Sequence, residues 1–260
     1  MASKVRMIDV TKCMGCRGCQ VACKQWNQLP ATETTFTGSY ENPADFTPET
    51  WGRVLFNEYE QGGEIKWYMN FNSCMHCTEA GCMNVCPVNA IHRTSLDTVK
   101  IDQDICIACG LCLTACPFEI PHVGELSKNA AWKCTSCFDR ISNGLETACA
   151  TACCTGAITF GDKDAKIAEA EARVSALQGM GVSGAQIYGK DELGGLGVIY
   201  VLADTPDKYG LPVNPEIALS TYVWNVALQP VKLLAAVGIT FGLMNSMVGK
   251  MNSKKDKDKK

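Results

Sequence analysis

The fold of this chain is decided by the stretch Cys106-Ile107-Ala108-Cys109-Gly110-Leu111-Cys112-Leu113-Thr114-Ala115-Cys116-Pro117. Its spacing, C-x2-C-x2-C-x3-C-P, is typical of ligands to [4Fe-4S] clusters. The first three thiolates bind three corners of one cluster, whereas the fourth cysteine points away and binds a second cluster. The stretch is therefore half of a two-cluster unit, and it requires a partner run elsewhere in the chain.

Three further cysteine runs meet this requirement. In chain order, the first, second and fourth runs are Cys13-x2-Cys16-x2-Cys19-x3-Cys23, Cys74-x2-Cys77-x4-Cys82-x3-Cys86 and Cys134-x2-Cys137-x11-Cys149-x3-Cys153. The stretch quoted above is the third run. The repetition indicates several copies of one supersecondary unit.

Cross-ligation predicts how the runs pair. The second and third runs are close in sequence and form an inner two-cluster module, which leaves the first and fourth runs to pair around it. We therefore predict four [4Fe-4S] clusters with the following ligands: cluster A, Cys13, Cys16, Cys19 and Cys153; cluster B, Cys23, Cys134, Cys137 and Cys149; cluster C, Cys74, Cys77, Cys82 and Cys116; cluster D, Cys86, Cys106, Cys109 and Cys112.

The cysteine count argues against other uses of these thiols. Sixteen of the seventeen cysteines fall into the four groups, and Cys154 is left over as an expected free, buried thiol. Paired disulfides do not require this spacing, and zinc sites usually take two Cys-x-x-Cys or Cys/His pairs. Iron–sulfur ligation is therefore the preferred interpretation.

Few other residues suggest chemistry. His76, between two predicted ligands, is expected at the solvent edge, and His92 and His122 are expected to make ordinary polar contacts. Lys133 either raises the potential of a neighbouring cluster or is a simple surface lysine. There is no nucleophile–base pair, no Gly-rich phosphate loop, and no basic face of the kind that binds nucleic acid. The sequence therefore predicts no catalytic residues.

The predicted fold class is α+β, with two nested ferredoxin-like two-cluster modules. The outer module comprises residues 1–26 and 130–160, and the inner module comprises residues 74–129. A β-rich insertion over 27–73 contains two strands, Arg53–Tyr59 and Glu64–Met69, joined around Gly62-Gly63. Residues 161–218 form a small α+β segment with a helix over Asp164–Gln178 and strands over Ala185–Tyr188 and Gly197–Leu202.

The C-terminal region predicts attachment to a membrane. Residues 233–249 contain no charged side chain, and the segment 226–249 reaches the ~20 residues that a spanning helix needs. Residues 219–225 form an interfacial stretch before it, and residues 250–260 form a tail with six lysines and two aspartates. The positive-inside rule places this tail in the cytoplasm and the cluster-binding body on the periplasmic side of the inner membrane.

Two segments carry a family resemblance: residues 12–27 (KCMGCRGCQVACKQWN) and residues 133–140 (KCTSCFDR). With Gly210-Leu211-Pro212 and the late membrane helix, they resemble the iron–sulfur β subunits of molybdenum or tungsten oxidoreductases, most of all membrane-bound formate dehydrogenase. The resemblance implies a molybdopterin-containing catalytic subunit as electron donor and a membrane cytochrome b, which reduces quinone, as acceptor. It also implies the nested pairing of the runs.

Other functions stay open at this point. The same electron-transfer role is possible with another molybdopterin enzyme or a hydrogenase as partner. The chain is alternatively a soluble ferredoxin-like carrier, or a metal-binding scaffold without redox function.

Overall fold

The computed structural model describes residues 3–221 and 223. Residues 3–217 belong to one compact unit, and residues 218–221 and 223 lie outside it. Three short 3-10 helices occupy Val10–Lys12, Glu192–Gly194 and Pro206–Tyr209. The described strands and α-helices are, in chain order, β1 (Lys4–Asp9), α1 (Gly18–Trp26), β2 (Gly52–Gln61), β3 (Glu64–Ser73), α2 (Gly81–Asn84), β4 (Ile91–Arg93), β5 (Val99–Ile101), α3 (Leu111–Thr114), β6 (His122–Glu125), β7 (Asn129–Trp132), α4 (Phe138–Ile141), α5 (Ala148–Thr151), β8 (Ile158–Asp162), α6 (Lys163–Gly179), β9 (Gln186–Tyr188) and β10 (Val198–Leu202).

A four-stranded sheet joins the two ends of the described chain, with strand order β8-β1-β10-β9. Strand β1 runs parallel to β10, with Ile8 opposite Tyr200, and antiparallel to β8, with Ile8 opposite Ile158. Because β1 leads into the first cysteine run and β8 follows the fourth, the sheet brings these two runs side by side.

Strand β1 buries both of its faces because its side chains alternate between two cores. Val5 and Met7 pack with α6 through Ala170 and Leu177. Ile8 lies on the opposite face, in the core that contains the cysteines. The helix predicted over Asp164–Gln178 is confirmed as α6, and its apolar positions face the sheet.

The insertion contains a long hairpin, as the two predicted strands around Gly62-Gly63 indicate. Strands β2 and β3 pair antiparallel from Gly52 opposite Ser73 to Gln61 opposite Glu64. Gly62 and Gly63 make the turn with positive φ angles, which glycine adopts without steric cost. Strand β3 ends directly before Cys74, so the hairpin supports the start of the second run.

Two smaller hairpins separate the remaining runs. Strands β4 and β5 lie between the second and third runs, and strands β6 and β7 lie between the third and fourth. Neither hairpin was predicted, because the short apolar pieces carry no clear alternation. Each hairpin returns the chain so that the next run begins close to the previous one.

The predicted membrane helix over 226–249 and the Lys-rich tail lie outside the described residues. Within residues 3–221 and 223, no helix combines the length and the apolar character that a membrane span needs.

Candidate iron–sulfur cluster sites

The same backbone conformation recurs in all four cysteine runs. The residue before the second cysteine has a left-handed backbone in every run: Gly15, His76, Ala108 and Ser136, with φ of 66°, 49°, 55° and 57°. For a residue other than glycine this conformation costs about 1–2 kcal/mol. Such strain is typical of binding sites, and here it folds the first two cysteines of a run toward each other.

Short helices carry the third cysteine of each run. Cys19 lies in α1, Cys82 in α2, Cys112 in α3 and Cys149 in α5. Helix α1 packs against α5, and α2 packs against α3. The first run therefore lies against the fourth, and the second against the third.

Two of the predicted ligand sets each line a cavity. Cys23, Cys134, Cys137 and Cys149, predicted for cluster B, line one cavity. Cys74, Cys77, Cys82 and Cys116, predicted for cluster C, line another. All four cysteines of the cluster B set are buried.

The other two sets are brought together nearer the surface. Cys153 and Cys16 are charge neighbours of Cys13, and Cys13 and Cys153 are neighbours of Cys19. Cys106, Cys109 and Cys86 are likewise neighbours of Cys112. Each of these sets contains one exposed cysteine, Cys16 in the first and Cys109 in the second.

Burial determines the protonation of these thiols. Burial, together with neighbouring cysteine charges, raises the pKa of Cys112 and of Cys137 to about 12 and the pKa of Cys116 to about 11. Without metal, these three thiols are therefore protonated at neutral pH. Iron must displace these protons when it binds, because the thiolate is the ligand.

Backbone N–H groups point at several of the sulfurs. Ala90 N donates to Cys86 Sγ at 3.2 Å, Ser136 N to Cys134 Sγ at 3.3 Å, and Ile158 N to Cys153 Sγ at 3.3 Å. Hydrogen bonds to ligand sulfur favour the reduced state of an iron–sulfur cluster. Four thiols per set, together with these donors, fit a [4Fe-4S] group.

The same sets do not fit a single metal ion. Among the residues that the structure describes, no three Cys, His, Asp or Glu side chains are close enough to hold one ion together. In a [4Fe-4S] cluster each cysteine binds a different iron, so the ligands stand further apart.

Two polar residues are more deeply buried than the sequence predicts. His76 was expected at the solvent edge, but this prediction is wrong: it is 3% exposed, and its Nδ1 accepts the Val99 N–H at 3.0 Å. Burial, with the charges of Lys133 and Arg6, lowers its pKa. Lys133 is also buried rather than a surface lysine. Both side chains are buried because the hairpin β4–β5 and the second run cover them.

The other two histidines are peripheral. His92 is exposed. His122 is half-buried, and its Nδ1 lies 3.1 Å from the Ile120 carbonyl oxygen, which is a polar contact as expected. Arg6, which was not predicted as a site residue, lies beside Cys149. The only indication in the sequence that Arg6 is unusual was its position as a charged residue between the apolar residues Val5 and Met7.

The prediction that Cys154 is buried is wrong. Cys154 is exposed, and its Sγ lies 3.9 Å from Cys16 Sγ and 4.0 Å from Met14 Sδ. It follows Cys153 at the turn after α5, where its side chain is directed outward.

We expect Cys154→Ser to leave the iron content of the purified protein unchanged, because the four ligand sets are complete without it. Cys16→Ser, at the neighbouring exposed thiol, is expected to lose about four irons per chain. Iron and acid-labile sulfide analysis compares the two variants. Equal iron losses would contradict the ligand assignment and make Cys154 a ligand.

Comparison with known families gives two matches to models described as a 4Fe-4S dicluster domain. One covers residues 12–90 and the other residues 65–163. Together they span all four cysteine runs.

Individual proteins are similar over most of the chain. The "Formate dehydrogenase, nitrate-inducible, iron-sulfur subunit" of Escherichia coli (strain K12) is 39% identical, across 95% of this chain and 85% of that protein. The "Formate dehydrogenase iron-sulfur subunit" of Haemophilus influenzae is 41% identical, across 90% and 76%. The "Formate dehydrogenase subunit beta" of Megalodesulfovibrio gigas is 36% identical, across 80% and 97%. These relatives are of one kind, and their similarity extends well beyond the cysteine runs.

Proposed function

The chain belongs to the family of formate dehydrogenase iron–sulfur subunits, and from this membership we propose that it relays electrons through four [4Fe-4S] clusters from a formate-oxidising catalytic subunit to a membrane partner. Its 4Fe-4S dicluster domains make it an electron-transfer subunit.

The observation that carries the proposal is the grouping of the cysteines into four sets of four. The cavity lined by Cys23, Cys134, Cys137 and Cys149 supports the cross-ligation of cluster B between the first and fourth runs. The cavity that contains Cys116 and three cysteines of the second run supports the same arrangement for cluster C. We propose clusters A and D for the two remaining sets.

The position of each set suggests its place in the relay. Cys16 and Cys109 are the exposed cysteines of the four sets, so clusters A and D are proposed as the ends where partners exchange electrons. Clusters B and C are proposed as the middle of the relay. Bound clusters supply one-electron chemistry, and the chain buries the four ligands proposed for cluster B away from water.

The catalytic partner is proposed to hold a molybdenum or tungsten molybdopterin cofactor. The acceptor is proposed to be a membrane cytochrome b, reached through a helix over residues 226–249. The uncharged run of residues 233–249 supports a membrane span. The similarity to the Escherichia coli subunit covers 95% of this chain, so it includes at least part of residues 226–249. The cluster-binding body is then periplasmic and the C-terminus cytoplasmic.

A pull-down of the tagged chain from detergent-solubilised membranes tests the proposal, with metal analysis and formate–dye assays on the purified material. The expected result is about sixteen irons per chain, with molybdenum or tungsten, a haem-containing cytochrome b and formate activity. Carbonate extraction of membranes tests the helix separately, and removal of residues 226–260 is expected to release the chain.

Other results would contradict particular parts of the proposal. Full iron content without formate activity would mean that the chain serves a catalytic partner other than a formate dehydrogenase. About eight irons would contradict the count of four clusters, and zinc in place of iron would contradict the relay itself.

A further inference from the structure

Arg6 places a guanidinium among the cysteines. It lies on β1 with 1% of its surface exposed. Its Nη1 donates to Cys149 Sγ at 3.5 Å, and its Nη2 donates to Ser73 Oγ at 2.8 Å and to Cys74 O at 3.1 Å. Its Nε is buried without a hydrogen-bond partner in the structure. One side chain therefore contacts the sulfur of a ligand proposed for cluster B and the main-chain carbonyl of a ligand proposed for cluster C.

Lys133 is a second buried cation in the same region. It is 4% exposed, and its Nζ donates to Cys134 O at 3.1 Å and to Val99 O. Burial by itself lowers the pKa of Lys133, but the charges of Cys74 and Cys82 raise it above its ordinary value. Lys133 thus also stands between the cysteines of clusters B and C. Arg6 lines the cavity of the cluster B set, and Lys133 lines that of the cluster C set.

Neither cation has a carboxylate partner among the described residues, whose ion pairs all involve other side chains. Burying an unpaired charge costs several kcal/mol, so a counter-charge is needed close by. The neighbouring groups that can supply negative charge are cysteine thiolates, and four thiolates on an iron–sulfur cluster remain anionic. The two cations therefore match the charge of bound clusters.

Given the clusters of the proposed function, on which this inference rests, we propose that Arg6 and Lys133 set the reduction potentials of clusters B and C. Each added electron increases the negative charge of a cluster, and a fixed cation beside it stabilises that charge. The two cations make the middle pair of clusters easier to reduce than their ligands alone would. A shared pair of cations also couples B and C, so one substitution affects both.

The test uses the full chain in its purified complex, with iron analysis followed by a redox titration monitored by electron paramagnetic resonance. The variants are Arg6→Gln and Lys133→Gln. The matched control is Lys4→Gln, since Lys4 lies two positions before Arg6 on β1 but has a partly exposed side chain paired with Asp162.

In each glutamine variant at positions 6 and 133 we expect two of the four clusters to become harder to reduce, by at least tenfold in the reduction equilibrium. For a one-electron couple this is a shift of about 59 mV. The other two clusters, and all four in Lys4→Gln, are expected to keep their wild-type potentials. Unchanged potentials in variants with full iron would overturn the inference, as would an equal shift of all four clusters.

Arg6→Lys keeps the inference testable if the glutamine variants fail to retain iron. Lysine preserves the charge but loses the fork that contacts both Cys149 and Cys74, so the same two potentials are expected to fall by less. Because lysine keeps the positive charge, a shift of tenfold or more in the reduction equilibrium of this variant would overturn the inference. Fewer than four clusters in the wild-type titration would instead contradict the proposed function, which distinguishes the two failures.

Discussion

Replacing Cys109 by serine is expected to stop electron transfer from formate to quinone while formate oxidation with an artificial dye stays largely intact. Cys109 is the exposed cysteine of the set proposed for cluster D. Damage there interrupts the relay at one end without touching the catalytic subunit. Iron is expected to fall by about four per chain, and dye-linked and quinone-linked activities are measured on the same preparation.

Cys154→Ser is the matched control for this variant, because it makes the same chemical change at another exposed cysteine. It is expected to keep both activities. Loss of the dye-linked activity in Cys109→Ser would show that cluster D also supports assembly, which co-purification of the catalytic subunit would detect. Unchanged quinone reduction with a damaged cluster D would contradict its place at the end of the relay.

Replacing Gly81 by alanine is expected to destabilise the inner module and to lose cluster C. An added Cβ would lie 2.6 Å from Ala115 O and 3.2 Å from a methyl group of Ile217. Gly81 is at the start of α2, directly before Cys82, and Ala115 directly precedes Cys116. The clash therefore separates two cysteines proposed to bind the same cluster. Overpacking of this kind costs about 1–3 kcal/mol.

Gly18→Ala tests the same substitution in the outer module. Gly18 begins α1, and its added Cβ would lie 3.4 Å from Ala152 O, an ordinary contact. This variant is expected to keep full iron and wild-type thermal stability, whereas Gly81→Ala is expected to lose about four irons and to unfold at a lower temperature. Equal behaviour of the two variants would mean that helix α2 shifts without consequence for the cysteines beside it.

Local patterns predicted much of this fold. The spacing within each run predicts tight loops, and the two strand-like runs joined around Gly62-Gly63 predict the long hairpin. The helix predicted over Asp164–Gln178 differs by one residue at each end from α6. These features depend on residues that are close in sequence, so the sequence alone carries their signal.

Long-range neighbours were not predictable in the same way. The sequence indicates a strand after residue 4 and another near residue 200, but it does not show that Ile8 lies opposite Tyr200. The placement of Arg6, Lys133 and His76 was missed for a different reason. Polar side chains are expected at the surface unless a partner compensates them. Here the partners lie far away in sequence: Ser73 for Arg6, and Val99 for both Lys133 and His76.

The position of β1 between β8 and β10 has a consequence for biosynthesis. A nascent chain that has reached residue 130 already contains both runs of the inner module. Its first strand, however, lacks both neighbours until residues 158–162 and 198–202 have left the ribosome. Because domains generally fold as units during synthesis, the inner module is complete first. The outer module can close around it only after residues 198–202 have been translated, so we expect iron delivery to the outer sites to come last.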